Sequence, residues 1–321
     1  MYSSPNWPIL TPKVAIKIIN CSPERVSTCS SLREVNFLKT IPLHANIVRV
    51  HEIFTDTSTS QCHIVMEAMQ SNLFELISSR QGRPFPNHCL CSILRQLLLA
   101  IDHIHAHGYL HRDIKPENVL VSQVELYNYV LKLADFGLTK KIELHETLTG
   151  YVSTRWYRAP ELALQLSNYS DKIDIWAFGT LSAELGNLRP LFPAKDELTL
   201  LSLQLSTLGH PGVHSLGGPW DQFYVLCPQL PQLLNPSYCT TEPPDLCRLI
   251  PSQTPLLSQL VCCCLQWDPS KRPTANCLLG HAYFSSALQL SSQQLAEWRP
   301  PFQQSDENAI PPHHNLLHSH K

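Results

Sequence analysis

A short polar segment at residues 111–118, H-R-D-I-K-P-E-N, places three chemically different side chains close together. Asp113 has a carboxylate that can accept a proton, Lys115 carries a positive charge, and Asn118 has an amide oxygen. Asp135 follows within the sequence D-F-G, and Mg²⁺ prefers oxygen ligands such as those of Asp135 and Asn118. Together these groups could transfer a phosphoryl group from a magnesium nucleotide to a hydroxyl.

The elements that must position these residues change from strands to helices along the chain. Residues 13–19, K-V-A-I-K-I-I, alternate and are β-branched, which predicts a strand, and further strands are predicted at 47–54 and 63–66. Short strands at 119–121 and 131–134 should flank the loops that carry the polar residues. Strands followed by helices predict an α+β fold. The predicted helices are 25–40, 72–79, 88–107, 174–185, 197–208 and 255–266.

The composition argues against several classes of partner. Charged residues make up 16% of the chain and the formal net charge is −2, so binding to nucleic acid or to an anionic membrane surface is not expected. The 12 cysteines include no C-x-x-C pair, which favours reduced thiols over disulfides or structural zinc. Residues 1–12 lack the features of a secretory signal, and no apolar stretch is expected to approach the ~20 residues of a membrane span. We therefore expect a monomer in the cytoplasm or nucleus.

The chain resembles the eukaryotic protein kinases over residues 13–284. The resemblance rests on H-R-D-x-K-x-x-N at 111–118, then D-F-G at 135–137 and A-P-E at 159–161, in the order and at the intervals typical of that family. It implies a serine/threonine kinase that uses ATP and Mg²⁺ as cofactors and acts on protein substrates.

The same resemblance implies a domain organisation. Residues 1–69 would form a small β-rich N-lobe, and residues 70–284 would form a larger helical C-lobe. Residues 285–321 are rich in Gln, Ser, Pro and His and are expected to form a disordered tail.

Individual motif positions imply individual roles. Asp113 would accept or orient the proton of the substrate hydroxyl, and Lys115 would neutralise the γ-phosphate during transfer. Asn118 and Asp135 would bind Mg²⁺. Any one of these carboxylates could be an ordinary surface charge, but the ordered set of motifs makes the assignment specific.

A second set of residues would hold the nucleotide. Lys17, in V-A-I-K, matches the strand lysine that contacts the α- and β-phosphates, although this motif alone could also be an exposed strand lysine. Glu34 lies at the spacing of the glutamate that pairs with this lysine in kinases. The implied nucleotide site comprises Ala15, Lys17, Met66, Glu67, Ala68, Met69, Leu120 and Asp135. The implied hydrophobic column between the lobes comprises Leu38, Val50, His111 and Phe136.

The segment after D-F-G carries residues with implied regulatory roles. Thr149-Gly150-Tyr151 resembles the dual phosphorylation motif of mitogen-activated kinases, and the alternative is that both hydroxyls remain unmodified. A phosphate added to Thr149 by an upstream kinase would bind a basic pocket. The residues at the matching positions of that pocket are Arg33, Arg112 and Lys140.

Residues 151–161, Y-V-S-T-R-W-Y-R-A-P-E, resemble the branch of cyclin-dependent and mitogen-activated kinases. Arg158 matches the arginine that in this branch shapes a pocket for proline after the phosphoacceptor, which implies substrates with Ser/Thr-Pro sites. Thr154 would hydrogen-bond toward Asp113 and Lys115.

Further matches extend the resemblance through the C-lobe. The sequences M-E-A-M-Q-S-N-L, L-R-P-L-F-P, T-L-G-H-P and Q-W-D-P-S-K-R-P-T-A are most similar to the male-germ-cell-associated and intestinal-cell kinase group with its meiosis-inducing fungal relatives. The resemblance also implies a buried ion pair between Glu161 and Arg272, and an anchoring role for Asp174 beneath the catalytic loop.

One part of the kinase pattern does not appear before Lys17. Kinases carry a glycine-rich hairpin there, whereas residues 1–16 contain no glycine and include Pro5, Pro8 and Pro12, which lack the N–H groups of a β-hairpin. The first two strands of the N-lobe are therefore expected to be missing. Three readings stay open: a shortened isoform or incomplete gene model of an active kinase, a slow kinase completed by a substrate or partner, and a catalytically inactive interaction module.

Overall fold

The computed structural model describes a large part of the chain between residues 13 and 287. The described residues are 13–21, 32–125, 128–142, 154–166, 169–211, 215–226, 250 and 255–287. Thr149 and Tyr151, the start of the predicted helix 25–40 and nearly all of the predicted tail lie outside them. In the described residues antiparallel strands are followed by a mainly helical part, which confirms the predicted α+β fold.

The first part is a three-stranded antiparallel sheet with a helix packed against one face. Its strands are β1 (Val14–Asn20), β2 (Val50–Asp56) and β3 (Gln61–Glu67), in the order β1-β3-β2. Helix α1 (Arg33–Thr40) buries Val35 against Ile64 of β3. The strand register pairs Lys17 with Ile64, and since directly paired residues share a face, Lys17 lies on the side of the sheet that faces α1.

The second part is mainly helical. Its helices are α2 (Leu73–Ser79), α3 (Asn87–Ala106), α4 (Pro160–Ala163), α5 (Lys172–Asn187), α6 (Glu197–Leu208) and α7 (Phe223–Leu226), followed by Pro255–Cys264, Ala275–Leu279 and Ala282–Ala287. Its short strands are β4 (Ser71–Asn72), β5 (Tyr109–Leu110), β6 (Val119–Glu125), β7 (Asn128–Leu133) and β8 (Lys140–Lys141), paired in the orders β4-β6-β7 and β5-β8. Single 3₁₀ turns lie at Pro116–Asn118, Arg155–Tyr157 and Pro269–Lys271.

The loop before β2 connects the two parts, and here one sequence prediction was wrong. The strand predicted at 47–54 begins only at Val50, because Ile47 forms a single parallel bridge with Leu133 of β7 instead. The side-chain amide of Asn46 donates to the Leu131 carbonyl at 2.9 Å. Ile47 is 5% exposed, so burial in the larger core competes successfully with continuation of β2.

Helix α3 corrects a second prediction. It has 20 residues and is long and apolar enough to cross a bilayer, and it is the one helix in the described part of the chain that meets this test. The expectation that no apolar stretch approaches that length was therefore wrong. Residues such as Leu94, Leu97 and Leu98 are fully buried in the core, which is the pattern of a central core helix.

Candidate active site

The loop that carries Asp113 is held from below by a buried carboxylate on α5. Asp174 accepts hydrogen bonds from the backbone N–H groups of His111 and Arg112, each at 2.8 Å. Arg112 has a φ of 73°, an unfavourable conformation for a non-glycine residue, and these two bonds stabilise it. Burial raises the pKa of Asp174, but its hydrogen bonds with His105 and with the Arg112 N–H oppose this effect, and the pKa is lowered overall. The anchoring role expected for Asp174 matches this geometry.

His111 is buried beneath the same loop and is held as a neutral ring. Its Nδ1 accepts a hydrogen bond from the Asp113 N–H at 3.2 Å, which leaves Nε2 to donate to the Ala134 carbonyl at 3.1 Å. Burial lowers the pKa of His111. The ring therefore joins the Asp113 loop to the strand end before Asp135.

The Asp113 carboxylate is positioned by the two other polar residues of its motif. Lys115 Nζ lies 2.8 Å from Asp113 Oδ2. The side-chain amide of Asn118 donates both to the Asp113 carbonyl, at 2.8 Å, and to Asp113 Oδ2, at 2.9 Å. Since the Asn118 nitrogen is committed to Asp113, its amide oxygen is the atom that can bind a cation.

Lys17 connects two carboxylates that are far apart in the sequence. Its Nζ lies 2.8 and 2.7 Å from the two oxygens of Glu34 and 2.8 Å from Asp135 Oδ1. Burial lowers the pKa of Lys17, but the hydrogen bonds and charges of Asp135 and Glu34 raise it overall, so the ammonium stays protonated. Burial likewise opposes ionisation of Asp135, and the contact with Lys17 holds its pKa below the usual value.

A cleft of about 410 Å³ separates the sheet from the helical part and collects these groups. This volume lies within the range of small-molecule sites. The predicted nucleotide residues that line it are Ala15, Lys17, Met66, Glu67, Met69, Leu120 and Asp135, together with the predicted residues Glu34 and Asn118. Ala68 is exposed and does not line the cleft. Val48, Ser71, Asn72, Glu75, Glu117 and Ala134 also line it and were not predicted.

Two of the unpredicted cleft residues had a visible signal in the sequence. Glu117 lies inside the motif at 111–118. Asn72 caps α2 and forms a capping box with Glu75, a pattern readable from the N-x-x-E spacing. The carboxylates of Glu75 and Glu117 add negative charge to the lining of the cleft.

The predicted hydrophobic column is seen in part. Phe136 packs edge-on to His111, with ring centroids 5.2 Å apart, as predicted. Phe136 also stacks on Phe37 of α1, at 4.4 Å, a contact that was not predicted. The predicted Leu38 packs against the same core cluster. Val50 packs in the separate small cluster around Val35, so it does not continue the aromatic stack. The rotation of α1 places Phe37 toward the helical part and leaves Leu38 half-buried between both clusters.

Two of the three residues of the predicted basic pocket meet at one aromatic ring. Arg112 and Lys140 both lie over the ring of Tyr169, each with its charged group 5.6 Å from the ring centre. Tyr169 was not predicted, and it holds two like charges near each other. Arg33 is exposed at the start of α1.

The described chain resumes at residue 154, and a 3₁₀ turn follows at Arg155–Tyr157. Arg158 forms an ion pair with Glu197, the first residue of α6. Arg158, Thr154 and Asp113 line one small cavity of about 20 Å³, which joins this segment to the catalytic loop. Thr154 is exposed and borders the same cavity as Asp113, and its hydrogen bond toward Asp113 and Lys115 stays a prediction.

The predicted ion pair between Glu161 and Arg272 is present and buried. The two guanidinium nitrogens of Arg272 lie 2.6 and 2.8 Å from the two oxygens of Glu161. Arg272 also lies over Trp176, 4.9 Å from the ring centre. This bidentate pair ties the end of the segment after D-F-G to the far side of the helical part.

Known protein kinases match this chain over most of its length. A family model described as "Protein kinase domain" matches residues 11–284. The chain is 36% identical over 301 residues to "Meiosis induction protein kinase IME2/SME1" of Saccharomyces cerevisiae, a match covering 86% of this chain and 46% of that protein. It is 39% identical over 285 residues to "Serine/threonine-protein kinase ICK" of Mus musculus (89% and 43%) and 40% identical over 256 residues to "Serine/threonine-protein kinase MAK" of Homo sapiens (80% and 38%). The chain thus spans about half or less of the length of these relatives.

Proposed function

The chain belongs to the protein kinase family, and on that premise we propose that it transfers the γ-phosphate of ATP to serine or threonine hydroxyls of protein substrates. This proposal rests on one observation: two sets of polar contacts meet at the same cleft. Lys17 contacts Glu34 and Asp135, and Asn118 contacts Asp113. The charged residues that the kinase motifs require, namely Lys17, Glu34, Asp113, Lys115 and Asp135, are all present in the sequence.

Each polar side chain at the site has one proposed role in phosphoryl transfer. The Asp113 carboxylate accepts the hydrogen bond of the incoming hydroxyl and orients its oxygen toward the phosphorus. Lys115, which is 2.8 Å from Asp113, neutralises charge that develops on the transferred group. Lys17 holds the α- and β-phosphates, and its pair with Glu34 keeps the ammonium in one place.

The donor set of the cleft fits magnesium and a nucleotide. The Asp135 carboxylate and the Asn118 amide oxygen are hard oxygen ligands, and Mg²⁺ usually completes its shell with phosphate oxygens and water. No group of three or more His, Cys, Asp or Glu side chains in the described residues could hold a metal alone, which fits a cation that arrives with its nucleotide. When bound, Mg²⁺ would neutralise negative charge on the phosphates.

Substrate choice and control form a finer part of the proposal. Arg158 supports proline-directed specificity, and Arg112 with Lys140 supports activation by a phosphate on Thr149, with Tyr151 as a second site. An upstream kinase would supply these phosphates. We further propose that the chain acts as a monomer in the cytoplasm or nucleus.

A second candidate function is a non-catalytic interaction module that binds nucleotide weakly or not at all. The observation that favours it is that residues 1–16 contain no glycine, so this stretch does not supply the glycine-rich loop that covers the phosphates in kinases. Every charged catalytic position is nevertheless intact, and this favours the enzyme.

The deciding experiment compares the wild type with Asp113→Asn. Phosphate transfer from Mg·ATP to Ser-Pro peptides should fall by about 10² to 10⁴ in the variant, while stabilisation of the fold by Mg·ATP persists. The exposed Asp221→Asn variant serves as the matched control and should keep wild-type activity. If the wild type shows neither transfer nor nucleotide stabilisation at millimolar ATP, the interaction module is the better explanation.

A further inference from the structure

One carboxylate on α6 is shared by two arginines of the segment 154–159, which borders the same cavity as Asp113. Glu197 Oε2 lies 2.6 Å from Arg155 Nε, and Glu197 Oε1 pairs with Nη1 of Arg158. The side chain of Arg158 is 8% exposed and that of Glu197 is 31% exposed, so this charge pair is partly shielded from water. A pair in such a position holds its partners more firmly than an exposed one does.

The same helix also holds the backbone of Arg158. The side-chain amide of Gln204 donates to the Arg158 carbonyl at 3.0 Å. Glu197 and Gln204 are seven residues apart on α6, which is about two helical turns, so both lie on the face directed at the segment. Helix α6 therefore fixes Arg158 through its side chain and through its main chain.

Gln204 is an unusual residue for its surroundings. It is 0% exposed and lies among the buried leucines of α6, and its Oε1 has no hydrogen-bond partner among the described residues. An unpaired buried amide oxygen destabilises the fold, and an apolar residue at this position would avoid that cost. Its hydrogen bond to Arg158 is the contact that accounts for a glutamine at this position.

The neighbours of Arg158 in the segment are anchored as well. The Trp156 ring N–H donates to the Ala194 carbonyl at 2.9 Å, and the Tyr157 hydroxyl donates to Glu184 at 2.6 Å. Arg158 in turn borders the small cavity that it shares with Asp113. Three consecutive residues of the segment, 156–158, are therefore each held by a contact with the helical part.

We propose that Glu197 and Gln204 are positioning residues that determine selectivity for proline after the phosphoacceptor. This inference rests on the proposed function. Proline has no backbone N–H, so a pocket selects it when any other residue would leave an N–H unpaired. That selection requires carbonyls that do not rotate to accept such an N–H, and the α6 contacts hold both the side chain and the carbonyl of Arg158.

The test measures a ratio rather than total activity. For wild type, Glu197→Ala, Gln204→Leu and the control Ser206→Ala, kcat/KM is determined for two peptides that differ only in proline or alanine after the serine. Ser206 is exposed on the same helix and contacts only its own turn. The ratio of kcat/KM for the proline peptide to that for the alanine peptide should fall about fivefold or more in the two α6 variants. The reason is that a mobile carbonyl could accept a hydrogen bond from the alanine N–H, and a fivefold change corresponds to about 1 kcal/mol.

A structural role alone would give a different result. Gln204→Leu removes the unpaired Oε1 and leaves one carbonyl unpaired, so its unfolding midpoint should stay near that of the wild type while its peptide ratio falls. Amide hydrogen exchange of residues 154–159 should become about tenfold faster in Glu197→Ala and stay unchanged in Ser206→Ala.

The outcomes separate the inference from the proposed function. A wild type that prefers proline, with the same ratio in both α6 variants, overturns the inference and leaves the kinase function intact. Equal use of both peptides by the wild type also overturns it. An inactive wild type contradicts the proposed function, and the exchange rates of residues 154–159 then decide whether α6 holds this segment.

Discussion

Lys17 Nζ lies 2.8 Å from Asp135 Oδ1 while it also contacts both oxygens of Glu34. The three residues belong to β1, to the loop after β7 and to α1, so this single ammonium joins the sheet, the helix and the proposed magnesium site. A contact between an ammonium and a carboxylate is worth roughly 1.5–3 kcal/mol when it is hydrogen-bonded.

Replacing Glu34 by Gln should weaken the hold on Lys17 without changing the shape of the cleft. We expect kcat/KM for ATP to fall about 10- to 100-fold, since the lost contact corresponds to roughly 1.5–3 kcal/mol. Steady-state kinetics at varied ATP measures the effect. Glu52→Gln, an exposed change on β2, is the control, and equal loss in both variants would refute the special role of Glu34.

The buried pair of Glu161 and Arg272 predicts a large effect on stability. Glu161→Ala leaves the fully buried Arg272 guanidinium without its carboxylate, and the free energy of unfolding should fall by about 3–5 kcal/mol. Urea denaturation measures this value. The double variant Glu161→Ala/Arg272→Met should be more stable than the single variant, because no charge is then left buried alone, and a less stable double variant would contradict this explanation.

Glu184 predicts a specific dependence of stability on pH. Burial raises the pKa of Glu184 from 4.5 to about 7, while the Tyr157 hydrogen bond opposes the rise and Glu117 adds to it. Because the folded-state pKa exceeds the unfolded value, the native state binds more protons in this interval. The free energy of unfolding should therefore fall as the pH rises from about 4.5 to about 7 and level off above it.

The variant Glu184→Gln isolates that contribution. The difference between wild type and variant should change by up to about 3 kcal/mol across the interval, as measured by urea denaturation at each pH. Parallel curves for the two proteins would show that Glu184 has an ordinary pKa in the folded state.

Thr149 lies outside the described residues, and its proposed role can be tested by function. Thr149→Ala should lower phosphate transfer about tenfold or more, because a phosphate there would form charge-assisted hydrogen bonds with the basic residues near Tyr169. Stabilisation by Mg·ATP should change little. Thr147→Ala is the neighbouring control, and an unchanged rate in Thr149→Ala protein would exclude this mode of activation.

Several long-range contacts were predicted correctly because motif residues imply them. Lys17 pairs with Glu34, Glu161 pairs with Arg272, and Asp174 supports the loop of Asp113, although these partners are 17 to 111 residues apart. Contacts that depend on orientation were not predicted. Phe37 stacks on Phe136, and Ile47 joins β7 rather than β2.

The sequence by itself determined which residues could do chemistry and the order of strands and helices around them. Motif spacing places Asp113, Lys115 and Asn118 on one short loop, where the backbone limits how far they can separate. Only the tertiary structure decided that Glu197 and Gln204 hold Arg158. The physical reason is that periodicity shows which residues share a helix face, whereas the rotation of that helix depends on how the whole core packs.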